Sequence, residues 1–168
     1  MAKGLVRKPI TPKWLAAQWR HLPHKFQVNL WNFEVQVGKA AVSIFKESFE
    51  LGRFNSSKSM PWRPRRDRKT HPILKETSSL KNSIKWKHLS AKASPSGVRI
   101  YTDPNGFRNT KRHKGFCYAA VHNAPSGTHT YGSTGVRSIR RQYIGHSDVL
   151  RNKLKELTNT VLFAGFPK

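Results

Sequence analysis

The sequence predicts an α+β domain: a small antiparallel β-sheet packed with a long N-terminal helix and a C-terminal helix, with extended basic arms. Three observations carry this expectation. From about Lys25 to Leu51, apolar residues recur at three- and four-residue spacing, the period of an amphipathic helix. The middle of the chain breaks into short alternating or compact apolar runs separated by turn residues, as strands do. A second helical period, Leu150, Leu154, Leu157 and Val161, follows a Ser147-Asp148 capping signal.

Residues 1–23 read as a basic arm containing Pro9, Pro12 and Pro23. Within it, TPKWLAAQWRHL fits a short helix with Thr11 as N-cap and Pro12 in the first turn. Trp14 and Trp19 fit either an assembly-docking segment or packing on the chain's own core. Residues 24–168 then form a single domain. Its long helix presents Phe26, Leu30, Phe33, Val37, Ala41, Ile44 and Phe45 as one stripe, and Gly52 closes it as a C-cap.

Residues 53–75 carry eight cations against Asp67, interrupted by Pro61, Pro64 and Pro72, which deny the segment a helix or a central strand. It is an extended basic loop. Arg63, Arg65, Arg66, Arg68 and Lys69 are its candidate polyanion- or neighbour-contacting residues, with Trp62 available to stack or dock; a solvated charge run is the plainer alternative.

From Ile73 to Leu89 the chain changes character. Thr77-Ser78-Ser79 is a capping or turn cluster. Ser83–Leu89 is a strand with Ile84, Trp86 and His88 on one face and Lys85 and Lys87 on the other. Gly97–Thr102 is the second strand, and Asp103-Pro104-Asn105-Gly106 is a turn by composition. A basic loop covers 108–114. Phe116–Val121 reads as a central strand, and the long loop over 123–135 has room for a small hairpin at His129–Tyr131. The C-terminal helix is expected beside the sheet.

Thirty-two Lys and Arg against eight Asp and Glu give a formal charge of +24. Self-repulsion on that scale calls for counter-charge, from nucleic acid or from an acidic protein neighbour. Hydrophobic content is only 36%, so the core is modest and leans on its nine Phe, five Trp and four Tyr. One cysteine excludes an intramolecular disulfide framework and fits a reducing compartment. No run approaches the roughly 20 apolar residues of a membrane span, and MAKGLVRKPITPKW lacks the apolar stretch of a signal peptide. The expected product is soluble and made in a cytoplasm, with no membrane partner.

Enzymatic signatures are missing: no Walker loop, GxSxG, HExxH or CxxC occurs, and the carboxylates are scattered. Cys117 with His113, His122 and His129 is poor material for zinc, which takes four ligands with supporting partners. The apolar setting of Cys117 raises rather than lowers its pKa, against a nucleophile. Neither a metal nor a cofactor is expected, and no enzyme. No helix-turn-helix, zinc-finger or RNP signature is present either, so DNA binding would be directed at the backbone and steeply salt-dependent.

Three motifs occur in a particular order. Pro61-Trp62-Arg63-Pro64 leads through Ile73-Leu74 to Ser79-Leu80 and Ser83-Ile84. Tyr118-Ala119-Ala120-Val121-His122-Asn123 precedes a Gly-containing loop. Arg141-Gln142-Tyr143-Ile144-Gly145 immediately precedes the last helix. Over roughly residues 26–163 this order resembles the phage virion morphogenesis (tail-completion) family of tailed phages and prophages. Ser79 stands where that family usually has Gly, Ile139 and Gln142 replace its turn prolines, and residues 1–23 lie outside its pattern.

The motif residues Leu80, Ser83, Tyr118, Ala119, His122, Arg141, Tyr143 and Gly145 are expected to pack and shape backbone. Tyr143 and Ile144 anchor the turn on the core, Gly145 permits a sharp turn into the helix, and Arg141 holds the turn through carbonyls or a carboxylate. The resemblance implies a homo-oligomeric ring at the head–tail junction of a virion, made in a bacterial host. Its implied partners are neck, portal or adaptor and tail-tube proteins, with non-specific contact to packaged DNA. A sequence-independent nucleic-acid-binding protein is the alternative.

Overall fold

A computed structural model describes residues 12–64, 74, 78–89, 97–106, 119–128, 130–131 and 136–166. Its architecture is α+β: a long N-terminal helix, a two-stranded antiparallel sheet laid against it, and a C-terminal helix. The long helix, α1, runs over Pro12–Leu51 without interruption, about 60 Å at 1.5 Å per residue. Pro12 opens it, where a missing N–H costs nothing. The expected break at Pro23 does not occur; the proline lies inside the helix. Below it, the chain's C-terminal end clamps the helix. Asn29 Nδ2 donates to the carbonyls of Leu162 and Ala164 at 3.0 and 3.1 Å, and Phe26 meets Phe166 edge-on. Arm and long helix are therefore one element from Pro12 onward. Gly52 ends it with φ 62, the left-handed C-cap conformation that suits glycine.

The buried face of α1 is Glu34, Gly38, Ala41, Phe45, Ser48 and Phe49. It is rotated from the stripe drawn through Phe33, Val37 and Ile44, which are only half-buried. Small and polar residues hold the centre because specific partners meet them. Trp86 lies flat over Gly38, His88 bonds Glu34 at 2.9 Å, and the Ser48 hydroxyl accepts from the Asn55 amide at 3.0 Å.

Ser78 is left-handed and offers no side-chain cap, so it serves as a turn residue ahead of the short helix α2, Ser79–Asn82; Thr77 lies outside the described residues. Strands β1, Ile84–His88, and β2, Val98–Thr102, pair antiparallel with Ile84 opposite Thr102 and His88 opposite Val98. Ile84, Trp86 and His88 face inward, as the alternation requires. Asp103 accepts from the Asn105 amide at 3.0 Å and a 3₁₀ turn follows over Pro104–Gly106.

The expected central strand at Phe116–Val121 is a correction: Ala119–Asn123 is a short helix, α3, and 116–118 lie outside the described residues. Tyr118, Cys117, His113, the 90–96 turn and the 108–114 loop lie outside them as well. Thr130–Tyr131 (β3), inside the long loop, pairs with Val136–Arg137 (β4) just beyond it.

The last helix, α4, spans Asp148–Leu157 with Ser147 as N-cap, its hydroxyl accepting from the Leu150 amide at 3.2 Å. It packs chiefly on α1 rather than beside the sheet. A π-helical turn, Thr158–Leu162, continues it. There Thr158 and Thr160 hydroxyls bond back to the carbonyls of Leu154 and Glu156, the competition that loosens a final turn. The core gathers Ala41, Phe45, Phe49, Phe54, Trp62, Leu80, Ile84, Ala119 and Tyr143. Among the described residues, no helix is long and apolar enough to cross a membrane.

Candidate interaction surface

The three motifs, far apart in sequence, meet beside the C-terminal end of α1. Trp62 is 7% exposed, packs edge-on against Phe49, and donates its indole N–H to the Gln142 carbonyl at 3.0 Å. The expectation that Trp62 stands free to stack or dock is thus corrected: its ring is core. The tryptophan is buried because Gly52 and Arg53 turn the chain back, Trp62 N bonding Gly52 O at 2.7 Å and Arg53 pairing with Pro61.

Tyr143 is 2% exposed. Its hydroxyl lies 3.2 Å from both the Ala119 carbonyl and the Thr102 hydroxyl. Asn123 Oδ1 accepts from the amides of Tyr143 and Ile144 at 3.2 and 3.3 Å. Arg141 N donates to the His122 carbonyl at 2.8 Å, and its guanidinium reaches the Arg63 carbonyl at 3.4 Å. Both of these bonds end on carbonyls. Burial, then the positive charge of Arg141, lowers His122 to about 4, so its ring is neutral near pH 7.

Gly145 has no left-handed φ, and a Cβ there would meet chiefly the movable end of the Gln142 side chain, Nε2 at 2.1 Å. Leu80 is fully buried, and the Ser83 hydroxyl donates to the Leu80 carbonyl at 2.7 Å, ending α2. Asn123, which sequence reasoning did not single out, is the polar hub of the turn; its place just after His122 in the motif was the available signal.

Above this cluster runs an open groove of about 920 Å³ between the loop 54–63 and the segment 138–146. Lys58, Arg63, Arg140 and His146 line it, with Phe54 and Trp62 sealing its floor. No carboxylate is among its lining residues. Of the predicted basic contacts, Arg63 is on this groove and exposed; Arg65, Arg66, Arg68 and Lys69 lie outside the described residues.

The described carboxylates are all engaged elsewhere. Glu34 meets His88, Glu47 the Asn55 amide, Glu50 Lys81, Asp103 Lys85 and Glu156 Lys153. Asp148 accepts from the hydroxyls of Ser56 and Ser57 and from the Ser57 amide, bonds that hold it well below the usual carboxylate range. Among the described residues, the exposed Lys58, Arg63 and Arg140 have no carboxylate partner.

Toward its N-terminus α1 exposes Trp19 (64%) and Trp31 (59%), the latter stacked on His88 at 4.1 Å between centroids. The side chain of Trp14 lies outside the described residues. Among the described residues no group of His, Cys, Asp and Glu is placed to hold a metal ion. No family model, curated protein or solved structure is significantly similar to the chain.

Proposed function

We propose that this chain is a structural virion protein of a tailed bacteriophage, acting without catalysis in tail completion or head–tail joining as a ring-forming neck or tail-terminator component. The observation that carries the reading is the meeting of the Trp62, His122–Asn123 and Arg141–Gly145 motifs in one cluster. Trp62, Arg141, Asn123 and Tyr143 there all bond to backbone groups, which supports a shaping role.

A ring of identical subunits needs head-to-tail interfaces between unlike surfaces. The exposed Trp19 and Trp31 on a helix about 60 Å long offer one such surface. Unpaired cations offer contacts to acidic neck, portal or tail-tube neighbours. Electron microscopy of particles made with the gene silenced tests this. Filled heads beside separate, finished tails are expected; normal intact virions would overturn it.

A second reading, a sequence-independent nucleic-acid-binding protein, is favoured by the commitment of the described carboxylates to internal partners. It parts from the first in expecting intact virions from the silenced gene.

A further inference from the structure

We propose that the groove between the loop 54–63 and the segment 138–146 is a binding site for the phosphate backbone of duplex DNA. The inference rests on the groove itself and goes beyond the virion reading; a purified protein tests it.

Charge comes first. Lys58 and Arg63 form no ion pair among the described residues, and Arg140 spends one guanidinium N–H on the neutral Gln142 amide oxygen at 2.7 Å. Asp148, whose partner Ser56 lines the groove, has both oxygens occupied by Ser56 and Ser57. The groove thus collects cations from two separate segments with no carboxylate in its lining, an arrangement whose self-repulsion an anion relieves.

Donor geometry comes second. Ser126, also on the groove, accepts the Arg140 amide at 3.0 Å through its hydroxyl oxygen. The hydroxyl hydrogen is left to donate outward. Hydroxyl, ammonium and guanidinium groups together are the usual donors to phosphate oxygens.

The floor then selects the ligand. Recognition of single strands relies on open aromatic faces on which bases stack. Here both floor rings, Phe54 and Trp62, are turned into the core, and the indole N–H is already used. Apart from the small imidazole of His146, the groove lining offers no open ring, so it suits a rigid phosphate ladder better than splayed bases or a protein side chain. In sequence, Arg63 is followed through Pro64 by the basic run Arg65, Arg66, Arg68 and Lys69.

A chain of charge +24 binds any polyanion at low salt, so the test compares charge-matched variants. Full-length protein is titrated against a short fluorescein-labelled random-sequence DNA duplex across a salt series. One variant carries Lys58→Gln, Arg63→Gln and Arg140→Gln. The control carries Lys39→Gln, Arg151→Gln and Lys155→Gln, exposed positions outside the groove. The groove variant is expected to lose about tenfold or more in affinity, and its slope of log affinity against log salt to become shallower by about 2–3, near 0.9 for each lost contact. The control is expected to change by less than about threefold.

Equal losses in the two variants would overturn the proposal, as would polyglutamate displacing the duplex at equal charge, which marks an acidic-protein site. On the unaltered protein, bound duplex should shield Lys58 from acetylation and leave Lys39 reactive. Equal reactivity at the two lysines overturns the proposal without relying on any variant to fold.

Discussion

Trp62 Nε1 donates to the Gln142 carbonyl at 3.0 Å across 80 residues of sequence, and the same ring packs edge-on against Phe49 of α1. A single side chain therefore ties the 53–64 loop, the 138–146 segment and the long helix together. Removing the ring by Trp62→Ala should cost about 3–5 kcal/mol. Trp62→Phe keeps most of the apolar contact but leaves the Gln142 carbonyl without this donor, and should cost about 1–3 kcal/mol. Urea denaturation of the two variants checks both values; a cost below about 1 kcal/mol for the alanine would deny the tryptophan its place in the core.

Glycine inside a helix usually invites replacement, since Gly→Ala gains about 1 kcal/mol of helix propensity. At Gly38 the sign reverses. A Cβ there would sit 2.3 Å from Trp86 Cδ2, inside the ring that β1 lays across α1. Gly38→Ala should therefore lose about 1–3 kcal/mol through overpacking, and thermal unfolding would register it. Trp86→Leu in the same background should recover part of the loss, a coupling that two independent sites would not show.

His122 makes stability depend on pH. Its folded pKa of about 4 lies below the unfolded value of 6.5. Between those values the unfolded chain binds more protons, so stability rises with pH. The contribution is fully present above about 6.5, falls away as pH drops toward 4, and changes no further below it; the span is roughly 3 kcal/mol. Asp148 is depressed instead from the carboxylate range, so its stabilisation is lost only under more acidic conditions. Denaturation midpoints from pH 7 to 4 should fall for the parent chain and fall less for His122→Gln. Parallel slopes would remove His122 as the cause.

The long helix, both strands of the β1–β2 hairpin and the Ser147 cap were legible because each is written in a local period or a local capping pattern. What escaped is tertiary. Glu34, Gly38 and Ser48 face the core because His88, Trp86 and Asn55 meet them, and hydrophobic periodicity cannot register partners that distant. Pro23 did not end α1, which runs on to Asn29 and Phe26, both in contact with the chain's far end. The Phe116–Val121 run was too short to separate strand from helix; its described part, Ala119–Val121, is helical, and Tyr143 bonds its first carbonyl. The groove was half-visible: Arg63 belonged to an evident basic run, whereas Lys58 and Arg140 join it only through the fold.

Charge reversal in the arm separates assembly from folding. Arg65, Arg66 and Arg68 follow the exposed Arg63-Pro64 step, and the described carboxylates are already committed to other partners. Replacing the three arginines by Glu shifts the formal charge by six, from +24 to +18. The sequence reads this stretch as an extended basic loop, and surface charge changes usually alter stability by no more than about 0.5 kcal/mol each, so the helical signal and unfolding midpoint should stay near the parent's. On the proposed assembly role, docking on acidic neighbours uses those cations, and like charges facing each other at an interface cost several kcal/mol. Particles assembled with the triple variant should therefore lack the protein when their composition is measured. Incorporation at the parent level, with folding intact, would show that the arm takes no part in assembly.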